Sequence, residues 1–151
     1  MVALDQTEKK IVQLLQRDGR MSFVDMAASI GVTEGTVRRK YYRLVNEGLL
    51  HIVGIAEPLK MGLNSLAIIG LSVEPGKLED VAREVSALGE VKYVAVTTGS
   101  SDIIMQAYFR NNDDLSFFLI NRLTKIDGVT EVNTSLILGV YKQAFDWGVA
   151  L

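Results

Sequence analysis

Gly31 separates two apolar runs that each repeat every three to four residues. Before it, Phe23, Met26, Ala27 and Ile30 line one side of a helix that Ser22 caps, with Asp25 in place for a capping box. After it, Thr33 caps a longer, basic helix ending at Gly48. A helix of about two turns, a short turn containing glycine and a second, longer helix is the helix-turn-helix plan. Upstream, Ile11, Val12, Leu14 and Leu15 predict a preceding helix from a Thr7 cap to Asp18-Gly19.

Advancing 100° per residue along the third helix puts Val37, Tyr41, Leu44 and Gly48 on one face. Gly35, Thr36, Arg38, Arg39, Tyr42 and Arg43 spread over the other, with Lys40 at the border. The cationic groups therefore point away from the core, beside small polar residues near the helix start. That is the chemistry of a recognition helix, in which arginine holds phosphates or pairs bidentately with guanine. The predicted DNA-contacting set is Thr33, Gly35, Thr36, Arg38, Arg39, Lys40, Tyr42 and Arg43. After Gly48, the β-branched stretch Leu49 to Ile55 predicts a short strand or hairpin in the position of a wing, with His51 on it.

From residue 65 the pattern changes to strands alternating with helices. Leu66–Val73, Val91–Thr98, Asp102–Phe109 and Val129–Leu138 read as strands. Lys77–Leu88 and a segment from Asn112 or Asp113 to Lys125 read as helices. This β-α-β-β-α-β order predicts a ferredoxin-like sandwich, so the fold class is α+β. The predicted domains are a winged helix-turn-helix at 1–55, a linker at 56–64 and the ferredoxin-like domain at 65–151. Helices cover one sheet face, yet the strands carry apolar residues on both, for instance Ile104 and Tyr108 opposite Ile103 and Met105. An open apolar face predicts a two-fold dimer, sheet against sheet; the competing cover is the C-terminal tail from Gly139, with Val140, Tyr141, Phe145, Trp147 and Val149.

Charge supports this division. Residues 1–50 hold eight Lys/Arg against six Asp/Glu, and residues 51–151 hold eight against twelve. The positive excess lies where DNA would bind, within a chain of net charge −2. Without cysteine, disulfides, thiolate metal sites and cysteine nucleophiles are excluded. A single histidine argues against multi-histidine metal centres and a Ser-His-Asp triad. No catalytic residue, metal or cofactor is expected. With no apolar run of the ~18 residues that span a bilayer, the expected location is the cytoplasm, with no membrane partner.

The order of motifs resembles the Lrp/AsnC ("feast/famine") transcription regulators over nearly the whole chain. It is carried by Leu4-Asp5 with Ile11, Asp18-Gly19-Arg20 before Ser22, and Gly31-Val32-Thr33 with Thr36-Val37, then by Arg43-Leu44, Glu47-Gly48, and Pro58 with Gly62. Thr98-Gly99-Ser100-Ser101-Asp102 stands where that family has its Gly-x-Tyr-Asp effector turn. The resemblance implies a sequence-specific DNA-binding regulator forming homodimers and often octamers. It implies a RAM- or ACT-like domain that binds an amino acid or related small effector between subunits. Gly99, Ser100, Ser101 and Asp102 would form one wall, and Thr134 and Ser135 of a neighbour the other. Asp102 offers an anion to an ammonium group; turn N–H groups and serine hydroxyls offer donors to a carboxylate.

Two features depart from the family pattern. Ser101 replaces a frequent aromatic residue, and Lys40 replaces arginine beside an unusual Tyr41-Tyr42 pair. Lysine keeps the charge and loses the bidentate fork. Two other functions are compatible with the fold. Some tetrapyrrole (siroheme-type) decarboxylases resemble the same two-domain family, but the C-terminal half has no histidine after His51 and only Arg83, Arg110 and Arg122. A ligand sensor acting through a partner regulator is the other, and the basic helix argues against it.

Overall fold

The structure is a computed structural model that describes residues 4–145. The chain separates into two units. Residues up to Ile55 form one together with the segment starting at Lys142; Ala56 to Tyr141 form the other.

The first unit holds α1 (Gln6–Arg17), α2 (Phe23–Ile30) and α3 (Glu34–Asn46). α1 starts earlier than predicted, because Asp5 rather than Thr7 is its cap. The Asp5 carboxylate accepts the Glu8 N–H at 2.9 Å, and the Glu8 carboxylate accepts the Asp5 N–H at 2.9 Å. Each side chain thus satisfies a backbone donor that the helix start leaves open. Ser22 caps α2 by accepting the Asp25 N–H, and Thr33 caps α3 by accepting that of Thr36. Gly31 ends α2 with φ at +82°, a left-handed conformation that costs any side-chain-bearing residue energy. Ile11, Met26, Val37 and Leu44 are fully buried where the three helices meet. Burying a side chain of this size contributes roughly 1.5–3 kcal/mol.

The predicted wing strand is not formed: residues 50–55 carry no regular structure. The N–H groups of Leu49 and Leu50 both bond back to the Leu44 carbonyl, and Leu50 packs into the helical core. Val53 and Ile55 stay exposed. A β-branched run becomes a strand only beside a pairing partner, and among the described residues this unit has none.

The second unit is a four-stranded antiparallel sheet of β1 (Ser65–Val73), β2 (Val91–Val96), β3 (Ile103–Phe109) and β4 (Val129–Leu136). Its spatial order is β2-β3-β1-β4, the ferredoxin-like arrangement. α4 (Leu78–Ser86) and α5 (Asn112–Asn121) supply the helices; α5 is shorter than predicted and is followed by a single 3-10 turn, Leu123–Lys125. Ala67, Ile69 and Leu71 of β1 and Ile103, Met105 and Ala107 of β3 are fully buried with Val81, Val85 and Phe118 of the helices. The alternate strand positions Leu66, Ile68, Ile104, Gln106 and Tyr108 are half-buried on the opposite face.

The last described residues of the second unit do not cover the sheet. Leu138, Val140 and Tyr141 are exposed. Phe145 lines a cavity of about 630 Å³ with Leu50, His51 and Ile52 and the end of α1, all in the first unit. Trp147 and Val149 lie outside the described residues.

Candidate nucleic-acid interface and effector site

α3 presents the predicted DNA-contacting residues, and the structure sorts its four cations by partner. The Arg38 guanidinium donates to the Glu34 carboxylate at 2.6 Å, one turn earlier, and lies 5.0 Å over the Phe23 ring of α2. The Glu34 carboxylate holds the Arg38 pKa above its ordinary value. Arg39 is exposed and has no ion pair among the described residues. Lys40 and Arg43 turn toward α1. Lys40 bonds the Asp5 carboxylate and lies 3.7 Å from that of Glu8. Arg43 donates to Glu8 at 2.7 Å and to Glu47 at 3.0 Å. Glu8 is fully buried, so these contacts neutralise a carboxylate within the helical core. Lys40 in turn holds the Asp5 pKa below its ordinary 3.8, with the Glu8 N–H as the second cause.

Two of the four cations therefore hold α1 against α3, and Arg39 with Arg38 is left on the outward face. Thr33 and Thr36 join side chain to side chain at 2.9 Å at the helix start, and nothing lies within 4 Å of where Gly35 would carry a Cβ. Tyr42 is half-exposed and packs edge-on against Tyr41. Sequence reading placed Arg43 on the outward side and Lys40 at the border, and did not name Asp5 and Glu8 as their partners or Phe23 as that of Arg38. An acidic pair opening the first helix is the one signal that pointed there.

In the second unit, the turn from Gly99 to Asp102 is bound to the end of β1. The Asp102 N–H donates to the Leu71 carbonyl at 2.8 Å. Its carboxylate Oδ2 accepts the Val73 N–H at 2.8 Å, at the point where the β1–β4 register slips. Oδ1 has no partner among the described residues, and neither do the backbone N–H groups of Gly99, Ser100 and Ser101. Ser101 lies over Gly70: a Cβ there would be 2.3 Å from the Ser101 hydroxyl oxygen. Asn133 pairs with Gly70 across β4 and shares its face, as Ser135 shares that of Ile68. Thr134, opposite the buried Ile69, points to the helix side of the sheet. Thr134 and Ser135 are thus on opposite faces, because strand side chains alternate. Gly70, which lies under Ser101, and Asn133, its partner on β4, are residues that sequence reading did not single out. The period-two pattern of β1 already places Gly70 on this face.

Among the described residues no group of His, Asp and Glu is placed to hold a metal, and no helix is long and apolar enough to cross a membrane.

Residues 4–45 match the AsnC-type helix-turn-helix domain, and residues 66–146 match the Lrp/AsnC ligand binding domain. The chain is 37% identical over 150 residues to an HTH-type transcriptional regulator of Pyrococcus abyssi, covering 99% of this chain and 92% of that one. It is 30% identical to the HTH-type transcriptional regulator FL11 of Pyrococcus furiosus, covering 93% of each. Among solved structures, a transcriptional regulator of Neisseria meningitidis in complex with L-Met superposes with a TM-score of 0.88 at 27% identity, over 95% of each chain. AsnC of Escherichia coli shares the fold, with a TM-score of 0.88 over 94% of this chain and 97% of that one at 22% identity. The chain belongs to the Lrp/AsnC family of transcriptional regulators, with a DNA-binding helix-turn-helix and a ligand-binding domain.

Proposed function

We propose that this regulator is a cytoplasmic homodimer that reads duplex DNA with α3 and takes an amino acid or a related metabolite at the β2–β3 turn. The observation that carries the DNA reading is the outward, unpaired guanidinium of Arg39 beside Gly35 and Thr36 at the start of α3. Arg39 is the primary contact. Arg38 joins it once DNA phosphate competes with Glu34, and Thr33, Thr36 and Tyr42 supply hydroxyls. Lys40 and Arg43 set the angle of α3 against α1 and give only their remaining donors to the backbone. The two recognition helices of a dimer meet half-sites about one DNA turn, or a multiple of it, apart.

The effector reading rests on the open acceptor and donors of the turn. Asp102 Oδ1 faces an ammonium, and the N–H groups of Gly99, Ser100 and Ser101 face a carboxylate. Ser135 of a neighbouring copy closes the site from the open sheet face, and Thr134, whose side chain is on the helix side, contributes through its backbone next to Ser135. The L-Met held by the Neisseria meningitidis relative makes α-amino acids the first class to test. The small Ser101 leaves room that an aromatic residue would fill. The effector acts by binding two assembly states with different affinity, with no catalytic step.

Calorimetric titration of the full-length protein with the twenty amino acids tests the effector site. Saturable binding of one or a few, abolished by Asp102→Ala, is expected; no heat from any of them contradicts the reading.

A further inference from the structure

Glu34 is a carboxylate at the start of a helix that faces phosphates. It is the first residue of α3, directly after the Thr33 cap. That cap satisfies the Thr36 N–H without it. Its partner among the described residues is Arg38, at 2.6 Å, and both side chains are about half-exposed. An exposed pair one turn apart adds little to stability. An acid in the first turn suits the helix dipole, again by a small amount. The fold therefore has little need of this group, and DNA phosphates repel it.

Arg38 pairs with Glu34, Lys40 with Asp5, and Arg43 with Glu8 and Glu47. In the free protein the start of α3 thus offers DNA little net charge beyond Arg39. Once a phosphate takes Arg38, the Glu34 carboxylate loses its cation. Gly35, the next residue, has open space where a Cβ would stand, so the backbone here can come close to base edges. A carboxylate left in the groove is tolerated only where a base supplies a hydrogen-bond donor. In the major groove cytosine presents the N4 amino donor alone. Adenine sets its N7 acceptor beside the N6 donor, guanine presents acceptors, and thymine presents an acceptor and a methyl group.

We propose that Glu34 is a specificity-determining residue whose carboxylate accepts from the N4 amino group of one cytosine in each half-site. The proposal rests on the reading of α3 as the DNA-contacting helix and adds an acidic reader to its hydroxyl and guanidinium groups. At that position the carboxylate repels the acceptor edges of the other bases. It also lowers affinity for DNA of unrelated sequence, because every such complex leaves the charge without a donor.

Selection of binding sites by the full-length protein from a randomised duplex pool tests the proposal. Wild type should prefer cytosine at one position of each half-site by about tenfold or more, as a mismatched base pair usually costs. Glu34→Ala should lose the preference at that position alone and bind random duplex more tightly. Glu34→Gln should turn the preference to adenine, whose N6 and N7 match an amide. Its similar size and uncharged polar group keep the test valid even if the alanine variant folds poorly. Arg38→Ala separates reading from positioning: it should weaken binding to all sequences and keep the cytosine. If the Glu34 variants select the same sites as wild type, or if Arg38→Ala also loses the cytosine, the proposal is overturned and DNA binding by α3 still stands. If wild type binds no duplex in the pool, the DNA reading itself fails, and this proposal with it.

Discussion

Arg39 and Arg43 lie one helical turn apart on α3, and only one of them is free. Removing Arg39 takes away no hydrogen bond or ion pair among the described residues, so Arg39→Ala should leave the melting temperature unchanged. It should lower DNA affinity and reduce the slope of log K against log salt by about one, the signature of a lost phosphate contact. Arg43→Ala should act the other way round. It leaves the buried Glu8 carboxylate with Lys40 at 3.7 Å as its remaining cation. With one cation fewer beside that buried carboxylate, a clear loss of stability is expected, smaller than for a fully buried pair because Arg43 is partly exposed and Lys40 stays near. Urea unfolding measures it, and wild-type stability in Arg43→Ala would show that the pair is not holding α1 to α3. Asp5 offers a pH test. Its pKa is lowered in the folded chain, chiefly by Lys40, so its stabilisation is present above about pH 3.8 and is lost as pH falls through the lower, folded value. Asp5→Asn keeps a good helix cap and loses the charge. The stability gap between wild type and this variant, followed by circular dichroism, should therefore be open at neutral pH and close below pH 3.8.

Gly70 and Ser101 test how β1 and the β2–β3 turn fit together. A methyl group at position 70 would sit 2.3 Å from the Ser101 hydroxyl oxygen and 3.0 Å from its Cβ. Gly70→Ala should displace Ser101 and weaken effector binding, while Gly70→Ala with Ser101→Gly should recover stability in a double-mutant cycle. Additive effects would mean that the two do not share the space. The same strands show what a sequence can and cannot display. Alternation along β1 marks its two faces, and Ser22, Gly31 and Thr33 mark the ends of α2 and α3, because caps and left-handed glycines are local devices. The wing is not legible because a strand needs a partner, and the described residues offer Leu49 to Ile55 none. The acidic opening of α1 was the one local sign of the partners of Lys40 and Arg43; the pairing itself was not legible, since Asp5 and Glu8 lie 35 residues away along the chain. For Thr134 and Ser135 the same alternation rule was available and places only Ser135 on the open face.

The molecule as a whole joins a helical unit with a buried ion-pair network to a sheet unit with one half-covered face. Ile68, Ile104 and Tyr108 on that face are only partly buried in the single chain, which is the basis for a sheet-to-sheet dimer. In the proposed dimer two copies of α3 bind one DNA, so an effector that shifted subunit packing would change DNA affinity without touching α3. The central requirement is that the outward side of α3 meets duplex phosphates and bases. Fluorescence anisotropy on DNA from the protein's own promoter, from low to high salt, tests it with wild type beside Arg38→Ala/Arg39→Ala. The double variant should keep its fold and lose affinity, with the salt slope falling by about two. Equal affinity and an equal slope for the two proteins would contradict DNA recognition through this face.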